Sequence, residues 1–375
     1  MLYAGDGGNM KKLLLLGVMI VLAGCSGGVI EGGLGAKGQD PCVPTTTTIP
    51  TTTTTIPVVE VSGILTSAQE IAALPTSGGA WDRMNKAANG AWGTPNVNNQ
   101  DSKTDTNVLA GALVGVRTNN EAMKQRVRDA IKQLVDSHPY DRVLALAREL
   151  PSYIYAADLV ELTPYERDRF ELFLAEAADY NMTGHSGAND LRGVAQIVPN
   201  NWGTMARAAM AAVAIYRQDA TELAAVANAQ AAFLGEPVAN AMKFTSTNWH
   251  ASAAKVSINR PGATIQGHNV DGVLPEDQRR TGEFAWPAPK GSYPHEGLQG
   301  AVAASYVLDR AGALEFNAGA QALIRAERWL VEINGNAAEG DDLNTPWMLN
   351  AHGGNFATGA TTPGKNIGWM DWLLS

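Results

Sequence analysis

From about residue 64 to its end, the chain repeats one pattern: a helical stretch, a link of a few residues, another helical stretch. No other feature constrains its fold as strongly. Apolar residues that recur every three to four positions bury one face of a helix, and short links force consecutive helices to lie antiparallel. Residues 120–137 carry Met123, Val127, Ile131, Leu134 and Val135, a single amphipathic stripe. Residues 107–118 form an Ala/Leu/Val run with small residues, and residues 140–162 form a further helical segment with one internal break candidate, Pro151. Ser67 with Glu70 three positions on reads as a capping box. Thr163-Pro164 reads as an N-cap followed by proline at the first helical position, opening a helix that runs to about Tyr180. Residues 204–216 and 221–235 form a pair joined by Arg217 to Ala220, and residues 295–311 and 314–332 form another. No comparable run alternates as a strand would. The expected fold class is all-α: stacked antiparallel helical hairpins of about 40–50 residues each, whose natural closed form is an incomplete α/α toroid. Residues 243–292, rich in Gly, Pro, Asn and Trp, break the pattern, and so long an irregular stretch inside a compact domain is usually functional.

The first sixty residues read differently. Met10-Lys11-Lys12 gives a short basic start, and Leu13 to Ala23 an apolar run of 11 residues. A membrane span needs about 20, so this run suits the apolar region of a secretory signal, with Met10 a candidate true start. It ends in Leu22-Ala23-Gly24-Cys25, which resembles a bacterial lipobox. That resemblance implies export, acylation of Cys25 and anchorage to a membrane through the lipid. Residues 25–59 are rich in Gly, Thr and Pro, with Thr45–Thr48 and Thr51–Thr55 each followed by Ile-Pro. They read as an extended spacer. The expected organisation is a signal peptide over 1–24, a linker over 25–59 and one folded domain over 60–375.

The chain has two cysteines, Cys25 and Cys42, so the folded body has no disulfide framework and no thiolate metal site. Its formal charge of −9 argues against nucleic acid as a partner, since an electrostatic nucleic-acid binder carries a basic excess. An anionic substrate stays possible, because a local basic cleft can sit in an acidic protein.

Three segments concentrate chemistry. The first is Pro199-Asn200-Asn201-Trp202-Gly203-Thr204, ahead of an Ala-rich helix; its amides can cap the helix or donate to a carboxylate. The second is residues 267–280, which gather His268, Asp271, Glu276, Asp277, Arg279 and Arg280 in one loop. The third is Lys290-Gly291-Ser292-Tyr293-Pro294-His295-Glu296, where a Tyr opens a helix with Lys and His beside it. Such a Tyr can transfer a proton if cations stabilise its ionised form. Each segment alone also reads as a plain cap, a solvated loop or a packed Tyr. His185 lies in a Gly-rich loop, and Arg148 shares a helix with Tyr153. Trp249, Trp286, Trp347 and Trp369 are each candidates to stack on a sugar or to pack the core.

Taken in order, Asn-Asn-Trp-Gly before a small-residue helix, Asp-Gly-x-Leu-Pro-x-(Asp/Glu)-x-x-Arg, and a Tyr opening the next helix resemble the alginate lyase superfamily of polysaccharide lyases. The resemblance runs from about Ile64 to the end and includes Pro363-Gly364-Lys365-Asn366-Ile367-Gly368-Trp369. It implies an α/α toroid and β-elimination on a uronate polymer, with no metal or organic cofactor. The chemistry explains the residue types. A uronate C5 proton is weakly acidic, so donors must neutralise the neighbouring carboxylate, a base must take the proton and an acid must protonate the departing O4. By the resemblance, Asn200 or Asn201 neutralises the carboxylate, Arg279 or Arg280 assists it or acts on the Tyr, and Tyr293 is the acid and also a candidate base. Trp202, Trp249, His250, Trp286, Lys290, His185 and Arg148 are the candidate substrate contacts. There is one departure: Trp202 stands where well-known members carry a His. Either Tyr293 makes both proton transfers, or His268 or His250 supplies the base. Two other readings stand beside the lyase. One is a hydrolase on the same fold using carboxylates such as Asp271, Glu276, Asp277 or Glu296; the other is a non-catalytic carbohydrate-binding lipoprotein.

Overall fold

A computed structural model describes residues 63–137, 140–239 and 241–375. The segments expected to be a signal peptide and a linker, Cys25 among them, lie outside the described residues. Among the described residues, no helix is long and apolar enough to cross a membrane.

The start signals in the sequence open helices where expected. Ser67 Oγ accepts the Glu70 N–H at 3.1 Å while the Glu70 carboxylate accepts the Ser67 N–H at 2.6 Å, and α1 (Ala68–Ala73) follows. Thr163 and Glu166 make the same reciprocal pair ahead of α6 (Pro164–Asp179), with Pro164 in its first turn. Asp219 caps α9 (Ala220–Leu234), which Gly235 ends in the left-handed conformation. The remaining elements are α2 (Gly79–Asn89), α3 (Thr104–Arg117), α4 (Glu121–Ser137), α5 (Val143–Val160), α7 (Leu191–Ile197), α8 (Asn201–Tyr216), α10 (Pro275–Gln278), α11 (Tyr293–Arg310), α12 (Ala318–Arg328), α13 (Asn344–Ala351) and α14 (Met370–Leu373). One two-residue hairpin, β1 (Thr264–Ile265) with β2 (His268–Asn269), supplies the sheet. The protein is all-α.

Two kinds of helix share the packing. α4 buries the expected stripe of Met123, Val127, Ile131, Leu134 and Val135 and exposes its other face. α3, α5, α8 and α11 bury residues all the way round, as a central helix must. These four are neighbours in chain order: α3 packs on α5, α5 on α8, α8 on α11. Against them lie α4 (on α3 and α5), α7 and α9 (on α8) and α12 (on α9 and α11).

Two expectations are corrected. α5 runs through Pro151 without a break. Its whole circumference is packed, and that packing outweighs the lost backbone bond, which costs about 3 kcal/mol in an unsupported helix. The stretch expected to be helical over 314–332 begins at Ala318, turns left-handed at Gly319–Gln321 and passes into a π turn over Trp329–Ile333. The region 243–292 is irregular as expected, apart from the hairpin, α10 and a short 3₁₀ turn at Arg279–Thr281.

Candidate active site

α8 and α11 lie parallel, and their first turns meet. Asn200 is the N-cap of α8, its side-chain oxygen accepting the Trp202 N–H at 3.0 Å. Asn201, the next residue, turns its amide to α11 and donates to Glu296 Oε2 at 3.1 Å. The Asn201 backbone N–H donates to Asp277 Oδ1 at 2.9 Å. This tie brings the second sequence segment onto the first. Arg280, three residues on, lays its guanidinium over the Tyr293 ring at 4.0 Å, which brings in the third. The Asn pair, the arginine pair and Tyr293 therefore form one group at the first turns of two helices, with both Asn side chains buried and the first N–H groups of α8 taken by Asp277 and Asn200.

Several members of this group take parts here that the sequence alone did not assign to them. Glu296 lies at its centre: Arg148 Nη2 approaches Oε2 at 2.6 Å and Lys365 Nζ approaches Oε1 at 3.8 Å. Lys365 also pairs with Asp341 at 3.2 Å. It belongs to the Pro363–Trp369 motif, but its reach into the site depends on a turn in which Lys365 and Asn366 both adopt positive φ. Asp277 is fully buried. Burial raises its carboxyl well above the usual range against the Asn201 N–H, and the carboxylates of Glu296 and Glu276 push it further. Asp277 Oδ2 and Asn201 Oδ1 are buried without a hydrogen-bond partner.

His185 comes to the site from the loop ahead of α7. Its ring lies 5.2 Å from the Trp202 ring, and Arg142 lies over the same indole at 4.8 Å. Backbone bonds with Ala188 pin the loop, and the Ser186 hydroxyl lies 2.7 Å from His185 Nδ1. Burial lowers the imidazole pKa, and the charges of Arg279 and Arg280 lower it further. A neutral imidazole is able to accept a proton.

Glu276 organises the loop beneath the arginines. It takes N–H bonds from Thr245 and Ser246, the Thr245 hydroxyl and Arg279 Nε at 2.7–3.1 Å. Burial works to raise its pKa, but the bonds from His250, Thr245, Ser246 and Arg279 prevail and hold it at about 2.

Other sequence candidates lie elsewhere. Trp249 is 1% exposed, with its indole N–H on the Gly282 carbonyl, so it offers no face to a sugar. The His250 side chain is 2% exposed and 3.5 Å from Glu276, buried under the loop. His268 stacks flat on Trp286 at 4.6 Å. Lys290 donates to the Gly335 carbonyl at 2.6 Å. Arg148 sits below the site, 5% exposed and spent on Glu296. Arg192, a further candidate cation, pairs with Asp179 and Glu222.

No protein-family model, characterised protein or solved structure matches this chain.

Proposed function

We propose that the protein is a polysaccharide lyase that cleaves an anionic uronate polymer by β-elimination. One observation carries the reading. Asn200 and Asn201, Arg279 and Arg280, and Tyr293 are far apart in sequence, and they are gathered at the first turns of α8 and α11. β-Elimination needs this set: donors for a carboxylate, cations beside it and a phenol to move a proton.

The uronate carboxylate sits over the first turn of α8, where the arginines neutralise it and so stabilise the enolate-like charge that develops, while the buried Asn pair holds that turn against Glu296 and Asp277. Arg280 sets a positive charge against the ring that loses and regains the proton. Tyr293 protonates the departing O4. Among the described histidines, His185 is the one beside Trp202 and the arginines, so it takes the place that the sequence left to His268 or His250. It removes the C5 proton, or leaves that step too to Tyr293. The order of neighbours α3, α5, α8 and α11, with α4, α7, α9 and α12 outside them, supports an incomplete α/α toroid with the cleft at the N-terminal ends of its inner helices. The lipobox-like segment ending at Cys25 supports a tethered enzyme outside the cytoplasm, beside polymers too large to import.

The test is absorbance near ~235 nm, where the unsaturated product of elimination absorbs. The full chain is incubated with polymannuronate, polyguluronate, glucuronan and hyaluronan in turn. A rise with one polymer, abolished in Tyr293→Phe, is the expected result. His185→Gln separates the two bases: loss of the acidic limb of the kcat/KM pH profile assigns the base to His185, and an unchanged profile assigns both transfers to Tyr293. New reducing ends without absorbance would replace the lyase with a hydrolase.

A further inference from the structure

Seven of the nine tryptophans are less than 9% exposed, and Trp347 is partly buried with its N–H on the Gly359 carbonyl. Trp286 alone is exposed, at 38%. Its ring is not loose. The His268 imidazole lies flat against one face, 4.6 Å between centroids and 12° between planes, and Phe284 abuts that imidazole at 6.4 Å. Phe284 in turn packs on the buried Trp249 at 4.9 Å. Trp286, His268 of the hairpin, Phe284 and the core Trp249 thus form a connected row of rings.

The loop that carries Trp286 is closed at its base. Gln278 Nε2 donates to the Pro289 carbonyl at 2.8 Å and to Thr281 Oγ1 at 2.9 Å, and Asn336 holds the Gly291 carbonyl at 2.9 Å. It leaves the chain directly after Arg280 and rejoins it directly before Tyr293. Trp286 is six residues from Arg280, so at about 3.5 Å per residue it lies within roughly 20 Å of the reacting group.

We propose that Trp286, braced by His268, is a stacking platform for a sugar ring of the same uronate polymer, a few units along from the one at Tyr293. This rests on the lyase reading for its substrate class. The apolar C–H face of a pyranose matches an indole face, while its hydroxyls and carboxylate stay in water. A platform held rigid before binding loses little entropy when the sugar arrives. Continuity with the site favours this occupant: the loop begins and ends on site residues, and a polymer threaded past Tyr293 has further rings to place. The platform makes the protein favour long chains over short ones.

The test uses the full chain, its Trp286→Ala variant and its Trp286→Phe variant, with binding to each of the four polymers read by gel retardation, which needs no turnover. Trp286→Ala is expected to bind the polymer about tenfold more weakly, the value of one stacked ring. Trp286→Phe, which keeps a ring, is expected to stay close to wild type and serves as the control for folding. Unchanged polymer retardation in Trp286→Ala overturns the platform, whether or not the lyase assay succeeds. Retardation that is lost in Trp286→Ala, in a chain that never yields 235 nm product, keeps the platform and overturns the lyase. A wild-type chain retarded by none of the four overturns both.

Discussion

Asp105 and Glu149 show what single residues cost this fold. Asp105 lies in the first turn of α3 and is 1% exposed; Glu149 lies on α5 and is 2% exposed. Burial raises Asp105 to about 7, against the Thr106 N–H and the Ser152 hydroxyl, and raises Glu149 to about 10 with the help of Asp105. Both Glu149 oxygens lack a hydrogen-bond partner. A carboxyl whose folded pKa lies above its unfolded value holds a proton that the unfolded chain has released. It costs nothing below the unfolded pKa, and stability is lost as pH rises towards the folded one. Asp105→Asn removes that cost. The stability difference between variant and wild type should be near zero at pH 4, grow to a few kcal/mol by about pH 7 and stay level above it. Urea unfolding at stepped pH measures it; a difference independent of pH would mean Asp105 is already relieved by some other partner. At this scale the sequence is uneven. Asn200, Asn201, Arg279, Arg280 and Tyr293 stand out because their neighbours in the chain mark them. Glu296 and Asp277 stand out only as candidate hydrolase carboxylates, Lys365 only as part of a motif and Arg142 not at all, because what each does here is set by a residue distant in sequence.

At the scale of elements, the site depends on how closely α8 and α11 approach. Gly300 permits it: a Cβ there would lie 2.6 Å from the Met205 nitrogen and the Thr204 hydroxyl. Two further glycines make room beside this contact, since a Cβ on Gly297 would lie 2.2 Å from Asp277 Oδ2 of α10 and one on Gly203 would lie 1.7 Å from the Val198 carbonyl oxygen ahead of α8. Ala208, Ala303 and Ala304 continue the small-residue seam one to two turns further along. Gly300→Ala therefore forces the helices apart at the level just below Asn201 and Glu296. It should cost about 1–3 kcal/mol of stability, a typical overpacking penalty. Turnover should fall more than the lost stability alone accounts for, because Asn201 withdraws from Glu296. Denaturant midpoint and kcat, measured on the same preparation below its transition, separate the two effects. Full turnover in a destabilised variant would show that the crossing supports the fold without aligning the site. The glycines are visible in the sequence, but their purpose is not: a Gly inside a helical pattern reads only as a weak point until its neighbour across the seam is known. Caps and periodicity, by contrast, are local, so α1, α4, α6 and α9 were readable to within a few residues. Pro151 misled because the packing that overrides it is tertiary.

At the scale of the whole molecule, charge sets up a contest. The chain carries −9, and a uronate polymer is also an anion, so at long range the two repel. The candidate cleft answers locally with Arg279, Arg280, Arg142 and Lys365, each partly open to solvent. Salt acts on both forces, with opposite results. The Debye length is about 10 Å at 0.1 M and about 3 Å at 1 M. Screening of the long-range repulsion would tighten binding and lower KM; screening of the cleft cations would weaken binding and raise it. The contacts are short and the net charge is spread over a large body, so the cleft should dominate. KM should rise several-fold between about 0.05 and 0.5 M salt while kcat holds. Arg280→Ala should flatten that slope as well as raise KM at low salt. A KM that falls with added salt would mean that the body's charge governs the encounter. The role given to the arginines would then have to pass from capturing the polymer to the proton-transfer step alone.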